Sequence, residues 1–384
     1  MSLHFTPAEF ATRRAATAAE LARRGLDGLL MFRQESMYYL TGYDTFGYVF
    51  FQCLYLGADG ETLTLLTRVP DLRQAQQTSV IKDIRIWYDK EGVNPAEDLR
   101  AMLDEHGCRG KKLGIELEAY GLTGRNCLRV YAALENFCHL EDASDLVTRQ
   151  RLIKSESELN YVRRAAELAD NALVEANRLA VPGQFEGEIL AAMQGEVFKG
   201  GGDYPGNEYI IGSGKRALLV RYSAGMETLG QNDQLTLEFA GAYRHYHACL
   251  MRTILTGKPD PRQLDMHKAC VEAMLAAQAA LKVGQPIGEV DEAHRRVLDA
   301  AGYQEHRLSA CGYSLGTTFS PNWMDWPMLY SGNPMLAAPG MVFFIHIILS
   351  DSVANMAMTL GRTVLVTENG LEQLSKMPLD LIIN

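Results

Sequence analysis

Residues 151–181, RLIKSESELNYVRRAAELADNALVEANRLAV, form a long stretch almost free of helix breakers, and they divide this chain into two blocks of different texture. Ser155 and Glu158 stand in the spacing of a capping box, in which each end of the pair satisfies a backbone N–H at a helix start. Before this helix, short apolar runs alternate with helical segments. DGLLMF (27–32) reads as a buried strand, and FQCLYLGADGETLTLLTR (51–68) as a hairpin turning on Asp59–Gly60. Further strands are expected at 84–88, 112–117 and 137–142, with helices near 95–106 and 123–134. An opening helix is marked by Thr6 as cap, Pro7 at the first helical position, Glu9 three residues after the cap, and Gly25 just past the basic last turn. Such alternation predicts a mixed α/β domain over 1–150. After the long helix come a helix at 187–199, a strand near 208–213, the strand-rich run 233–257, helices at 261–282 and 288–301, and strands at 341–350 and 354–370. Helices followed by antiparallel strands predict an α+β domain over 151–384.

A chain of 384 residues can bury two cores, and 47% apolar with 22% charged residues suits a globular protein. The formal net charge of −10 argues against nucleic acid as a partner, since phosphate binding needs a basic face. Seven cysteines without regular spacing do not read as a disulfide framework. The segment MSLHFTPAEFATRRAA lacks the apolar run of a secretory leader, so a cytoplasmic location with reduced thiols is expected. The longest apolar stretch, 341–349, contains His346 and is far too short to span a bilayer.

Several segments then fall in a familiar order: KSESEL (154–159), GSGKRALLVRY (212–222), LTLEFAGAYRHYHACLMRT (235–253), ACGYSLG (310–316), GMVFFIHIIL (340–349) and TVLVTENGLEQLS (363–375), with MYYLTGYD (37–44) in the first block. Together they resemble the creatinase / aminopeptidase P / prolidase family, with its creatinase-like N-terminal domain and its "pita-bread" catalytic domain. Metal-dependent members of that family bind two ions through two Asp, one His and two Glu. Carried over by position, those ligands fall here on Glu238, Cys249, Tyr313, His346 and Gly361, so none of the five is retained. No metal pair, and no other cofactor, is therefore expected. If 238 and 249 faced each other across an antiparallel pair, Glu238, His247 and Cys249 would share a sheet face, and with His346 they would offer a set for a single zinc ion.

The substitutions resemble those of the family's metal-free branch, creatinase and ectoine hydrolase. GYSLGTTFSPNW (312–323) and Glu238-Phe239-Ala240-Gly241 followed by Tyr246-His247 are especially like ectoine hydrolase. Such enzymes open a C–N bond in a small nitrogen-rich solute with side chains alone. By that resemblance, and by which groups exchange protons near neutral pH, His247 is the expected general base and Glu238 its charge-stabilising partner. Tyr313 is expected to donate to a developing oxyanion, and His346 to shuttle a second proton. His245 is the weaker alternative to His247. Arg221 stands where creatinase has a catalytic His. It cannot be a base, but with Tyr222 it suits a substrate carboxylate. Trp323 can form an aromatic wall, and Asp325 can hold an amine or amidine. Phe46 and Tyr48 lie in a segment that resembles one reaching a partner's site in dimeric relatives, so a homodimer is expected.

Each choice has a plainer structural counterpart: His247 as a satisfied strand histidine, His346 as a hydrogen-bonded core residue, Cys249 and Cys311 as small fillers, Trp323 and Trp326 as packing. The leading expectation is a metal-independent hydrolase of a small C–N solute. An Xaa-Pro metallopeptidase with rebuilt ligands, or a non-catalytic binding protein, are the alternatives.

Overall fold

The computed structural model describes residues 3–221 and 226–384, and the chain divides into two compact units, Met1–Arg151 and Leu152–Asn384. In the first unit, helix α1 (Pro7–Arg24) starts with Thr6 accepting from the Glu9 N–H and ends at Gly25 in the left-handed conformation. Strands β1 (Gly28–Met31), β2 (Cys53–Gly57), β3 (Leu63–Arg68), β4 (Asp83–Trp87), β5 (Lys112–Ile115) and β6 (His139–Asp142) form one mixed sheet in the order β4-β3-β2-β1-β5-β6. Side chains alternate across a strand, and in β1 both faces are apolar. Leu29 and Met31 join a core with Leu21 of α1 and Leu146 of α6 (Asp145–Gln150). Leu30 joins the opposite core with Leu99 of α4 (Pro95–Glu105) and Val130 of α5 (Gly124–Leu134). Helices thus cover both faces of the sheet, as the alternating strand–helix sequence requires.

Three helices of this unit escaped the sequence reading, α2 (Gln34–Thr41), α3 (Val69–Thr78) and the short α6. The start of α2 has no side-chain cap from its neighbours. Instead the buried Glu116, 84 residues from Phe32, accepts from the Phe32 and Arg33 N–H groups and from Ser36 Oγ. An anchor supplied from a distant strand end leaves no local signature.

The second unit opens with α7 (Glu156–Leu179), whose Ser155–Glu158 capping box is fully formed. Helix α8 (Glu186–Lys199) follows, and then the strands of a large sheet: β7 (Ile210–Ser213), β8 (Asp233–Tyr243), β9 (Tyr246–Thr256), β10 (Ala310–Ser314), β11 (Asp325–Tyr330), β12 (Val342–Asp351) and β13 (Met356–Thr367). Their order is β11-β10-β12-β13-β9-β8-β7, all antiparallel, with short β14 (Gly370–Gln373) on β13 and β15 (Ile382–Ile383) on β9. Helices α9 (Pro261–Ala280) and α10 (Gly288–Ala300) share a core with β12 and β13.

The β8–β9 hairpin turns on Arg244 and His245, whose positive φ values of 51° and 64° suit a tight two-residue turn. Helix α7 packs on this hairpin through its alanine face, and the approach is closest at Gly241. A Cβ built there would stand 2.0 Å from the Ala165 carbonyl oxygen and 2.6 Å from the Ala169 nitrogen. Only glycine permits that distance. Across the same interface Tyr246 donates to Glu158 at 2.7 Å, which ties the hairpin to the first turn of α7. Among the described residues no helix is long and apolar enough to cross a membrane.

Candidate active site

A cavity of about 260 Å³ opens within the second unit. Its polar lining comes from Asn207 before β7, Arg221, Glu238 of β8, Ser309 and Tyr313 at β10, Asn322 and Trp323 before β11, and His346 of β12. Ile210, Met324, Met328 and Ile348 supply apolar wall. The sheet thus brings together five of the residues singled out from sequence: Arg221, Glu238, Tyr313, Trp323 and His346.

Three of them form a directed chain. Trp323 Nε1 donates to the Tyr313 hydroxyl at 2.8 Å, and that hydroxyl donates to Glu238 Oε1 at 3.1 Å. Indole N–H can only donate, so the phenol must accept from it and aim its own proton at the carboxylate. Glu238 is 8% exposed. Burial raises its pKa from 4.5 to about 7, against the lowering effects of the Tyr313 hydrogen bond and the Arg221 charge. Burial pushes the Tyr313 hydroxyl well above the phenol range, so it stays protonated. His346 lies against the Tyr313 ring, with centroids 5.7 Å apart. Burial lowers its pKa to about 4, which makes it neutral near pH 7, and its Nδ1 is buried without a hydrogen-bond partner.

His247, expected beside Glu238 as general base, does not line this cavity. The register explains why. Met251 lies opposite Glu238, Ala240 opposite Cys249 and Ala242 opposite His247, so the expected pairing of 238 with 249 is shifted by two residues. His247 shares the face but sits at the turn end of the hairpin. Its Nε2 accepts from the Gly206 N–H at 2.8 Å, which leaves Nδ1 protonated and facing Thr318 Oγ1 at 3.1 Å. Both nitrogens are occupied, the ring is fully buried, and burial lowers its pKa to about 4. It is a neutral histidine that pins two loops, one before Asn207 and one before Trp323. Asn207 Oδ1 in turn accepts from the Trp323 N–H at 3.2 Å, a lining role that no motif around it announced.

Other expectations also change. His245 is in the hairpin turn, stacked on Phe319. Asp325 does not line the cavity. Its carboxylate turns to Gly316, where an added Cβ would meet Asp325 Oδ2 at 3.2 Å and Lys154 Cε at 3.3 Å. Phe46, 75% exposed, and buried Tyr48 belong to the other unit, and Tyr222 lies outside the described residues. The single-zinc set Glu238, His247, Cys249 and His346 does not assemble: His247 has no free nitrogen, and the four do not group as ligands among the described residues.

Comparison with known proteins gives this geometry its context. Residues 160–368 match the model of metallopeptidase family M24, and residues 13–153 that of the creatinase/prolidase N-terminal domain. The chain belongs to the M24 family. Ectoine hydrolase of Halomonas elongata is 26% identical over 402 residues, covering 100% of this chain and 99% of that one. An Xaa-Pro dipeptidase of Pyrococcus horikoshii is 25% identical over 364 residues, covering 94% and 95%. The structure of an Xaa-Pro dipeptidase from Bacillus anthracis superposes with a TM-score of 0.84 at 23% identity, over 98% of this chain and all of that one. The pita-bread architecture is therefore that of the family.

The family's name implies metal, but the residues here do not fit a metal pair. At Gly361 the space a side chain would need is filled: a Cβ there would lie 2.5 Å from Phe344 Cζ and 2.7 Å from Met251 Cβ. The Tyr313 oxygen is held protonated between an indole donor and a carboxylate. Cys249 is buried, with burial raising its thiol pKa well above the ordinary value. A hard-cation pair needs several ionised oxygen donors around it, and this set retains one carboxylate.

Proposed function

We propose that this M24-family hydrolase opens a C–N bond in a small, carboxylate-bearing, nitrogen-rich solute, with side chains in place of a metal pair. The observation that carries the reading is the chain Trp323–Tyr313–Glu238 at the cavity wall, beside a Gly361 position filled by Phe344. A carboxylate with a pKa near 7 can take a proton from water at neutral pH and return it later, which an ordinary glutamate does poorly. Glu238 is the general base. It removes a proton from a water that attacks the carbon of the C–N bond, a C–O bond forms, and the protonated Glu238 passes its proton to the nitrogen as that bond breaks. Neutral His346 stands by the same space as a hydrogen-bonding partner for substrate. Arg221, always charged, is suited to the substrate carboxylate, and the volume of about 260 Å³ limits the solute to a small molecule.

The test is turnover of a panel comprising ectoine, creatine, hydantoin-type compounds and Xaa-Pro dipeptides, before and after exhaustive chelation. Activity is expected to survive chelation and to fall by about 10²–10⁴-fold in Glu238→Gln. Its pH dependence should rise through about 7, as Glu238 ionises. Turnover abolished by chelation and restored by manganese, a hard ion suited to an oxygen-rich metal pair, would overturn the metal-free reading. Full activity in Glu238→Gln would overturn the assignment of the base.

A further inference from the structure

A second cluster of chemistry-bearing side chains lies outside the residues lining the cavity. Asp291 and His294 project from successive turns of α10, and Cys311 comes from β10. One donor atom of each lies within 4.8 Å of the others, and the group is fully buried, with exposures of 0%, 1% and 0%. His294 Nδ1 is 3.3 Å from Asp291 Oδ1. Neither Asp291 oxygen nor His294 Nδ1 makes a hydrogen bond, and the nearest countercharge to Asp291 is the Arg295 guanidinium at 3.6 Å. Buried polar atoms are ordinarily paired, since each unpaired one costs about 1–3 kcal/mol. Asp291 and His294 thus face each other and the Cys311 thiol with buried oxygen and nitrogen atoms unsatisfied, an arrangement that calls for a common partner.

We infer that Asp291, His294 and Cys311 form a zinc site that clasps α10 to β10. Carboxylate, imidazole and thiolate are the donors zinc accepts, and three of them leave one position for a water. In a tetrahedral site such donors stand about 3.4–3.8 Å apart, so a contraction of about an ångström or less closes this group around an ion. The Asp291 carboxylate and an ionised Cys311 thiolate together match the two charges of the ion they would bind. Zinc binding releases the thiol proton to solvent and forms Zn–S, Zn–N and Zn–O bonds without any redox change. The clasp fixes β10 two residues before Tyr313, so it braces the cavity wall without touching substrate. Arg295 then serves as an outer partner that orients the carboxylate.

The full-length chain, expressed with zinc present and purified without chelator, should carry one zinc by elemental analysis. Cobalt loading should produce the near-ultraviolet band of a thiolate–cobalt bond. Cys311→Ser should abolish that band, and His294→Ala should reduce bound zinc by at least tenfold. Glu238→Gln should keep its zinc while losing turnover, which separates this site from the cavity and from any failure of the proposed reaction. Wild-type protein that neither holds stoichiometric zinc nor shows the cobalt band after refolding with metal would overturn the inference, whether or not the variants fold. So would zinc that persists in Cys311→Ser or disappears in Glu238→Gln.

Discussion

Glu238 shows how one carboxylate acquires a function from its surroundings. In the sequence it reads as a partner for a histidine, because a free glutamate is ionised far below neutral pH. In the fold it loses water, gains one hydrogen bond from Tyr313 and feels Arg221, and the balance sets its pKa at about 7. Removing the Tyr313 hydroxyl removes an influence that holds this value down. Tyr313→Phe should therefore move the rising limb of the pH–rate profile to higher pH and lower activity at pH 7 by about tenfold, the worth of one charge-assisted hydrogen bond. An unmoved limb in that variant would detach Glu238 from the profile.

At the scale of the element, the β8–β9 hairpin decides which histidine can act. Its tight turn and the register Ala242 to His247 carry that imidazole to the turn end, where Gly206 and Thr318 occupy both nitrogens. His247→Ala should release two loops at once, leaving the buried Gly206 N–H without a partner and the Thr318 hydroxyl with only its 3.4 Å bond to the Trp323 carbonyl. We expect a loss of stability of about 2–4 kcal/mol, measured by urea unfolding. Substrate KM should rise through the loosened Asn207 and Trp323, while the midpoint of the pH–rate profile stays where it is. A shifted midpoint would instead return His247 to the proton path. That alternation put His247 and Glu238 on one face was legible in the sequence. How far along the strand each sits was not, because register is settled by the turn and by pairing with neighbours.

At the scale of the whole molecule, the site is a local cost to stability. Raising the Glu238 pKa from 4.5 to about 7 means that its share of stability is fully present below 4.5 and is lost as pH rises through 7, about 3 kcal/mol in all. Glu238→Gln, uncharged throughout, should be more stable than wild type at pH 8 by up to that amount and equal to it below pH 5, by denaturant midpoint. The buried histidines act with opposite sign. With pKa values lowered from 6.5 to about 4, His247 and His346 contribute stability above 6.5 that is lost as pH falls through 4. A Glu238→Gln protein whose stability tracks wild type at every pH would contradict the buried-carboxylate account.

The amino-acid sequence alone determined the division at the long helix, the α/β then α+β layout, and the caps of α1 and α7. These features depend on local spacing and residue chemistry, which are written in order along the chain. Only the tertiary structure decided that Glu238, not His247, faces the cavity with Tyr313 and Trp323. The same holds for the turn of Asp325 toward Gly316, the filling of the Gly361 space by Phe344, and the meeting of Asp291 and His294 with Cys311. Those outcomes join residues 9 to 85 positions apart through strand register, ring packing and loss of water, and no local spacing carries that information.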